Sequence, residues 1–318
     1  MLNLAAWLES KPTAFFVDID FRQNSRRYHR LGEWGLRSYL VNRCLHDVLR
    51  SAQVSWAARS CDLTLLKSTA MIADFGRGRR NVKFFLDAAH DDHLVIGDTD
   101  VERKRAEIYA GGRALRAIYF GRLVRYKGLD LAVEAIALAR AGGADVGLTI
   151  VGDGEEKAQL LALVQRMGVE QAVTFHPGLR YGQELFDHVD AADLAIAAPR
   201  VEDTPRAALD AMARGLPILA FDIEYFRTLS ELSGAVELAD WPEPASLAKQ
   251  IIALDRDRGR LAEMSRRAVA FARENTQRLW LQRRIAWTFD ALDHRSRTDD
   301  RGKLDNPPPH TERDRARS

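Results

Sequence analysis

The chain has 318 residues, 46% of them hydrophobic and 29% charged, with a formal net charge of +2. That length favours two domains over one, and the composition is ordinary for a soluble globular protein. The positive excess sits in the tail from Arg295 to Ser318, where seven Arg or Lys face five Asp or Glu, so the charge balance does not point to nucleic acid. Cys44 and Cys61 are the two cysteines, which suits a reducing compartment better than a disulfide framework. No apolar run reaches membrane-spanning length and no signal peptide precedes the first strand, so the expected location is cytoplasmic.

In chain order, Ala14 to Asp20 reads as a buried strand. Residues 33–58 read as a helix with Trp34, Leu45, Val48 and Leu49 facing inward and a break near Gln53. Leu63–Leu66 and Val82–Leu86 read as two further strands. From there apolar runs without strict alternation predict strands at 114–121, 145–151, 172–176, 193–199, 216–222 and 235–239, buried on both faces as in a parallel sheet. Helical patterns lie between them, as at Leu131, Ala135 and Leu138 and from Glu155 to Met167. This alternation predicts a doubly wound sheet with right-handed crossovers. Two amphipathic stretches follow, 257–274 and 276–293, the second carrying Trp280, Leu281, Ile285, Trp287 and Leu292 on one side. Past residue 294 the chain is charged and nearly free of large apolar residues, so it is expected to be disordered.

Two segments carry the chemistry. After the strand at 114–121 comes Gly121-Arg122, and a helix opens at Lys127-Gly128. Both cations then sit past the carboxyl end of a strand, where open α/β sheets bind ligands. Arg offers a planar fork and Lys a mobile point charge, a pair suited to a diphosphate. The second segment runs from Glu202 to Pro217. Thr204 reads as the cap of a helix with Pro205 at its first position, and Gly215 and Pro217 as its stop. Glu202 thus precedes the helix, Asp210 lies about two turns in, and the unpaired amides of the first turn lie between. Acid, anion cradle and acid form a grip for a sugar, a diphosphate and a ribose. His90, His93 and His176 show no metal-ligand spacing and read as structural.

Six landmarks occur in order: Gly121-Arg122-Leu123, Lys127-Gly128, Ile150 to Gly154, Val173 to Gly178, Ala191 to Asp193, and Glu202 to Pro217. On these residues the region from about 114 to 293 resembles the donor-binding half of a retaining glycosyltransferase of the two-domain GT-B type, family 4 (glycosyl transferases group 1). The resemblance implies an α/β fold of two Rossmann-like domains, the amino-terminal one incomplete. Its divisions fall at 1–112 (acceptor side), 113–275 (donor side), 276–294 (a helix returning to the amino-terminal domain, or else packing on its own sheet) and the tail 295–318. The expected opening strand and glycine-rich loop have no counterpart, which leaves open a fragment, a misplaced start or a reduced relative.

The implied reaction transfers a sugar from a nucleoside diphosphate to an acceptor hydroxyl with retention, without metal or cofactor. Arg122, Lys127 and Glu202 are the implied catalytic residues, with Glu202 taking donor-sugar hydroxyls or, alternatively, serving as a solvated loop acid. Gly121, Gly178, Leu179, Thr204, Pro205, Arg206, Ala207 and Asp210 are the implied donor-binding set. Asp210 would hold the ribose, or cap local structure, where the family normally has the longer Glu. The loop Asp203-Thr204-Pro205 also departs from the usual Gly-x-Gly. The implied partners are a nucleotide-sugar donor and a saccharide or lipid-linked saccharide acceptor. No integral membrane segment is implied, and peripheral membrane association is compatible with the reading. A catalytically impaired nucleotide-sugar-binding protein and a sugar-nucleotide epimerase are the alternatives.

Overall fold

The computed structural model describes the backbone of residues 2–305 and the side chains of residues 5–295. It contains two parallel sheets. The smaller is built from β1 (Ala14–Val17), β2 (Leu63–Leu66) and β3 (Val82–Phe84), in that spatial order. The larger contains β4 (Leu115–Phe120), β5 (Val146–Val151), β6 (Val173–His176), β7 (Leu194–Ala197), β8 (Ile218–Phe221) and β9 (Val236–Ala239). Its spatial order is β6-β5-β4-β7-β8-β9.

Successive side chains on β4 show why the larger strands read as continuous apolar runs. Ala117 and Tyr119 point into one core, with Val133, Ile136, Leu247 and Ile251 of the helices Leu129–Ala141 and Pro244–Arg256. Ile118 and Phe120 point into the other, with Phe186, Leu209, Phe226 and Ala268 from four further helices. Because successive residues face opposite sides of a strand, burial of both faces demands apolar residues at every position. The second core also takes in Leu63, Leu65, Phe85 and Leu86, so it joins the two sheets.

Two expectations about helix faces need correction. The segment 36–60 is helical, but it is interrupted by a wide turn at Asn42–His46, not by a break near Gln53. Its inward residues are Val54, Ala57 and Ala58. Leu45, Val48 and Leu49 lie on the exposed surface, and Trp34 is half-buried, stacked on Tyr28 at 4.7 Å. A wide turn takes up an extra residue and shifts the apolar stripe away from the face that the later turns bury.

The carboxy-terminal helix Gln277–Asp305 likewise carries two stripes. Trp280 is buried against Phe84 and Trp287, whereas Leu281 and Ile285 are exposed. At 3.6 residues per turn, positions 280, 284, 287 and 291 share one side and 281, 285 and 292 the other. Near its start Arg278 pairs with Asp92, on the segment after β3, at 2.5 Å, and the helix then reaches the smaller sheet, where Arg295 pairs with Asp62, just before β2, at 2.9 Å. Helical backbone continues through Asp305. The helix-breaking prolines begin only at Pro307, and the remainder of the expected disordered tail, 306–318, lies outside the described residues.

Candidate active site

The strand order reverses between β4 and β7. At such a switch point the two connections leave in opposite directions and open a crevice beyond the carboxyl ends of the strands. A cavity of about 330 Å³ lies there, with Gly121, Arg122, Lys127, Asp203, Arg206 and Ala207 in its wall. The expected pairing of Arg122 with Lys127 is therefore present.

Glycines permit the approach of these loops. Lys127 closes a short turn, Arg125–Lys127, and Gly128 follows at φ +64°. A Cβ on Gly128 would lie 1.9 Å from the Ala198 carbonyl oxygen, so only glycine lets this turn rest on the end of β7. The turn after β5 is held the same way, since a Cβ on Gly154 would lie 2.2 Å from the Leu123 carbonyl oxygen. Arg122 donates to the Tyr126 hydroxyl at 2.8 Å, and Lys127 to the Asp203 carboxylate at 2.5 Å. The buried Tyr119 hydroxyl donates to the Arg122 carbonyl at 2.9 Å. Burial, and then Asp203, push its pKa up, which keeps it a donor.

The motif helix spans Arg206–Ala213. Pro205 is its cap residue and makes no side-chain cap, so Thr204 does not cap the helix and Pro205 is not its first helical position. Pro205 holds an extended ψ of 123°, which places the turn one residue later than expected. The Arg206 and Ala207 amides consequently have no partner among the described residues, and both residues line the cavity. An anion would be favoured at this helix end. At the other end Gly215, at φ +73°, lets the Leu216 amide return to the Ala211 carbonyl at 2.9 Å.

Glu202 is placed differently from the expectation. Its side chain is 1% exposed and is absent from the cavity wall. One carboxylate oxygen accepts from the Tyr225 amide at 2.8 Å. The other accepts from Arg27 at 2.6 Å and from the Glu224 amide at 3.2 Å. These amides open the helix Glu224–Ser233, whose own cap residue, Ile223, supplies no side-chain acceptor. Glu202 is thus that helix's cap, and the charge favoured at a helix amino terminus explains its position. Arg27 and Asn24 reach it from the helix Asn24–Arg30 of the amino-terminal portion, Asn24 accepting from the Glu202 amide at 2.9 Å. Arg27 also lies over the Trp241 ring at 5.5 Å. Burial pushes the Glu202 carboxyl up to about 7, against the opposing pull of Arg27 and the Tyr225 amide.

Asp210 is also buried. It accepts from the Tyr181 hydroxyl at 3.1 Å and lies 3.6 Å from His90 Nδ1, whose Nε2 is 3.1 Å from the Ala272 carbonyl oxygen. Gly178 and Leu179 follow β6 but do not reach the cavity wall. The Gly178 amide donates to Asp153 at 2.6 Å, and Leu179 packs on the second core. The structure therefore brings together Gly121, Arg122, Lys127, Pro205, Arg206 and Ala207, and keeps Glu202, Thr204, Asp210, Gly178 and Leu179 out of that wall.

The residues that hold the two acids, Asn24, Arg27, Tyr181 and Tyr225, were not anticipated, and neither was Asp203 inside the cavity. The spacing of Asn24 and Arg27 places them on one helix face, but nothing local names a partner some 175 residues away. Asp203 was visible only as a departure from the usual loop.

A family model described as Glycosyl transferases group 1 matches residues 100–274, more than half of the chain. Among curated proteins, the 2-deoxystreptamine glucosyltransferase of Streptomyces kanamyceticus is 26% identical over 190 residues, covering 58% of this chain and 48% of the relative. A D-inositol 3-phosphate glycosyltransferase of Nocardia farcinica is 33% identical over 176 residues, covering 53% and 39%. The chain spans about half the length of the curated relatives it matches. Among solved structures, Anabaena Alr3699/HepE in complex with UDP superposes with a TM-score of 0.65 at 21% identity, covering 91% of this chain and 75% of that one. The fold is accordingly the α/β GT-B type with Rossmann-like parallel sheets. Together with the extent of the family match, this shows that the chain belongs to the group 1 glycosyl transferases.

Proposed function

We propose that the protein is a retaining glycosyltransferase that moves a sugar from a nucleoside-diphosphate donor to an acceptor hydroxyl without a metal ion. The observation that carries this reading is the convergence of Arg122, Lys127 and the unpaired Arg206 and Ala207 amides on one cavity at the switch point. As the glycosidic bond breaks, negative charge grows on the leaving diphosphate. Fixed cations and amide dipoles aimed at that charge stabilise it without reorganising. Arg122 would take phosphate oxygens with its planar fork, and Lys127 would follow the charge with a mobile ammonium. The crystallisation of Anabaena HepE with UDP and with UDP-glucose supports a nucleotide-sugar donor. The acceptor, a saccharide or lipid-linked saccharide, belongs to the same proposal. So does a cytoplasmic location, with Cys44 and Cys61 both free thiols.

The test is a panel of UDP-, GDP- and ADP-sugars assayed for binding, donor hydrolysis and transfer in the presence of EDTA, with product anomers assigned by NMR. Saturable binding followed by transfer with retention is the expected result. Absence of nucleotide binding would refute the reading of the cavity. Inverted product would refute retention alone. One observation favours a second reading, a binding protein without turnover: Glu202 is buried, hydrogen-bonded to Arg27, and does not line the cavity. Tight donor binding with no turnover on any acceptor or water would establish that reading instead.

A further inference from the structure

We infer that the exposed face of the helical segment 36–60 is a docking surface for an anionic lipid bilayer. Leu36, Leu40, Val41, Leu45, Val48 and Leu49 fall within one 14-residue stretch, and each is 45–61% exposed. Spacings of three and four residues make them neighbours on a helix surface. Single exposed leucines are ordinary, but six large aliphatic side chains together form a patch of the kind that marks an interaction site. The wide turn at Asn42–His46 leaves them outside, since the later turns bury Val54, Ala57 and Ala58 instead. Farther along the segment, Trp56 meets Trp7 edge-on at 6.3 Å, and Trp7 and Leu8 are themselves exposed.

Charge selects the partner. Residues 36–60 contain Arg37, Arg43, Arg50 and Arg59 against a single acid, Asp47, whose side chain is buried 3.9 Å from Arg43. Arg37 and Arg50 are exposed, and neither has an acidic partner among the described residues. Solvent therefore meets an aliphatic stripe accompanied by uncompensated cations. A helix lying in the headgroup layer of an anionic membrane has this make-up, with apolar side chains toward the acyl chains and guanidinium groups at the phosphates. A protein partner fits less well, because interface cores are enriched in aromatic residues and Met. Here the stripe is aliphatic and the Trp pair stands at one end, where an amphipathic ring suits a membrane–water boundary. No described helix is long and apolar enough to cross a membrane, so the proposed contact lies along the surface. Of the two acceptor classes proposed above, a protein held there would meet the lipid-linked one. The inference rests on this face and not on the reading of the cavity, so either can fail without the other.

The full chain is sedimented with extruded vesicles of phosphatidylcholine alone and of a phosphatidylcholine–phosphatidylglycerol mixture. Wild type should bind the mixed vesicles about fivefold or more tightly than the neutral ones, since each Arg near an anionic surface contributes about that factor. Leu45→Gln with Leu49→Gln should weaken binding about tenfold or more, because two Leu side chains no longer leave water. Arg37→Gln with Arg50→Gln should weaken binding about tenfold or more on the mixed vesicles only. All four positions are exposed, so circular dichroism and urea unfolding should match wild type. An environment-sensitive fluorophore on Cys44, an exposed thiol within the stripe, should shift its emission to the blue as vesicles bind, Cys61 being buried. Three results would overturn the inference: no binding to either vesicle, equal affinity for the two, or binding untouched by both pairs of substitutions. Binding without a change at Cys44 would also overturn it, placing the contact elsewhere on the chain. A dimer that Leu45→Gln with Leu49→Gln dissociates, in protein that binds no vesicle, would assign the face to a second copy instead.

Discussion

Glu202 should make the protein less stable as pH rises toward neutrality. Its carboxyl titrates near 7 in the folded chain against an ordinary value of 4.5, because burial outweighs Arg27 and the Tyr225 amide. The folded state therefore holds the proton more tightly than the unfolded state. The resulting stabilisation is complete below pH 4.5 and is lost as pH rises through 7. The interval of about 2.5 units corresponds to about 3 kcal/mol. Glu202→Gln cannot titrate, so it isolates this contribution. At pH 5 the variant should lie within about 1 kcal/mol of wild type, since its neutral amide replaces a protonated carboxyl that likewise sets hydrogen against the surrounding donors. Wild type should then lose about 3 kcal/mol relative to the variant as pH rises to 8, as happens when a buried ion pair returns less than its desolvation cost. Urea unfolding of both proteins at half-unit steps from pH 5 to 8 measures the difference directly. Arg27→Met removes an opposing influence, so it should move the loss of stability to a higher pH. Parallel curves for wild type and Glu202→Gln, with a constant separation across the range, would refute the reasoning.

Lys127→Ala should lower turnover by about 10²–10³, the usual effect of deleting a group that stabilises transition-state charge; a rate of nucleotide release within a few-fold of wild type would remove Lys127 from the mechanism. Gly128→Ala should destabilise the fold by about 3 kcal/mol or more in urea unfolding, because a Cβ would overlap the Ala198 carbonyl at a backbone φ of +64°. Asp193 resists the upward push of burial through hydrogen bonds from Arg113 and Arg116, which bring its carboxyl down to about 2. Asp193→Asn should therefore cost about 2 kcal/mol near pH 6, the Arg113 and Arg116 guanidinium groups that it leaves being partly exposed. Because the folded pKa is depressed, the pH-dependent part of that cost is present above about pH 4 and disappears as pH falls toward 2, which acid titration of both proteins followed by circular dichroism would check.

The amino-acid order by itself determined the six strands of the larger sheet and the helices between them. A strand buried on both faces must be apolar at successive positions, and that signal is local. It also placed Arg122, Lys127 and the motif helix start near one sheet edge, because glycine turns and strand ends are legible in short windows. Helix faces were less legible: the wide turn at Asn42–His46 and the double stripe of the Gln277–Asp305 helix each defeated a single 3.6-residue count. Which acid faces the cavity was decided only by tertiary structure. Glu202 and Asp203 are adjacent and chemically alike, and their environments come from Arg27, Tyr225 and Lys127, which the fold brings in from distant parts of the chain. Arg27 and the Tyr225 amide compensate the buried Glu202 carboxylate in part, and Lys127 compensates Asp203. That compensation is a property of three-dimensional neighbours, which no spacing within the motif encodes.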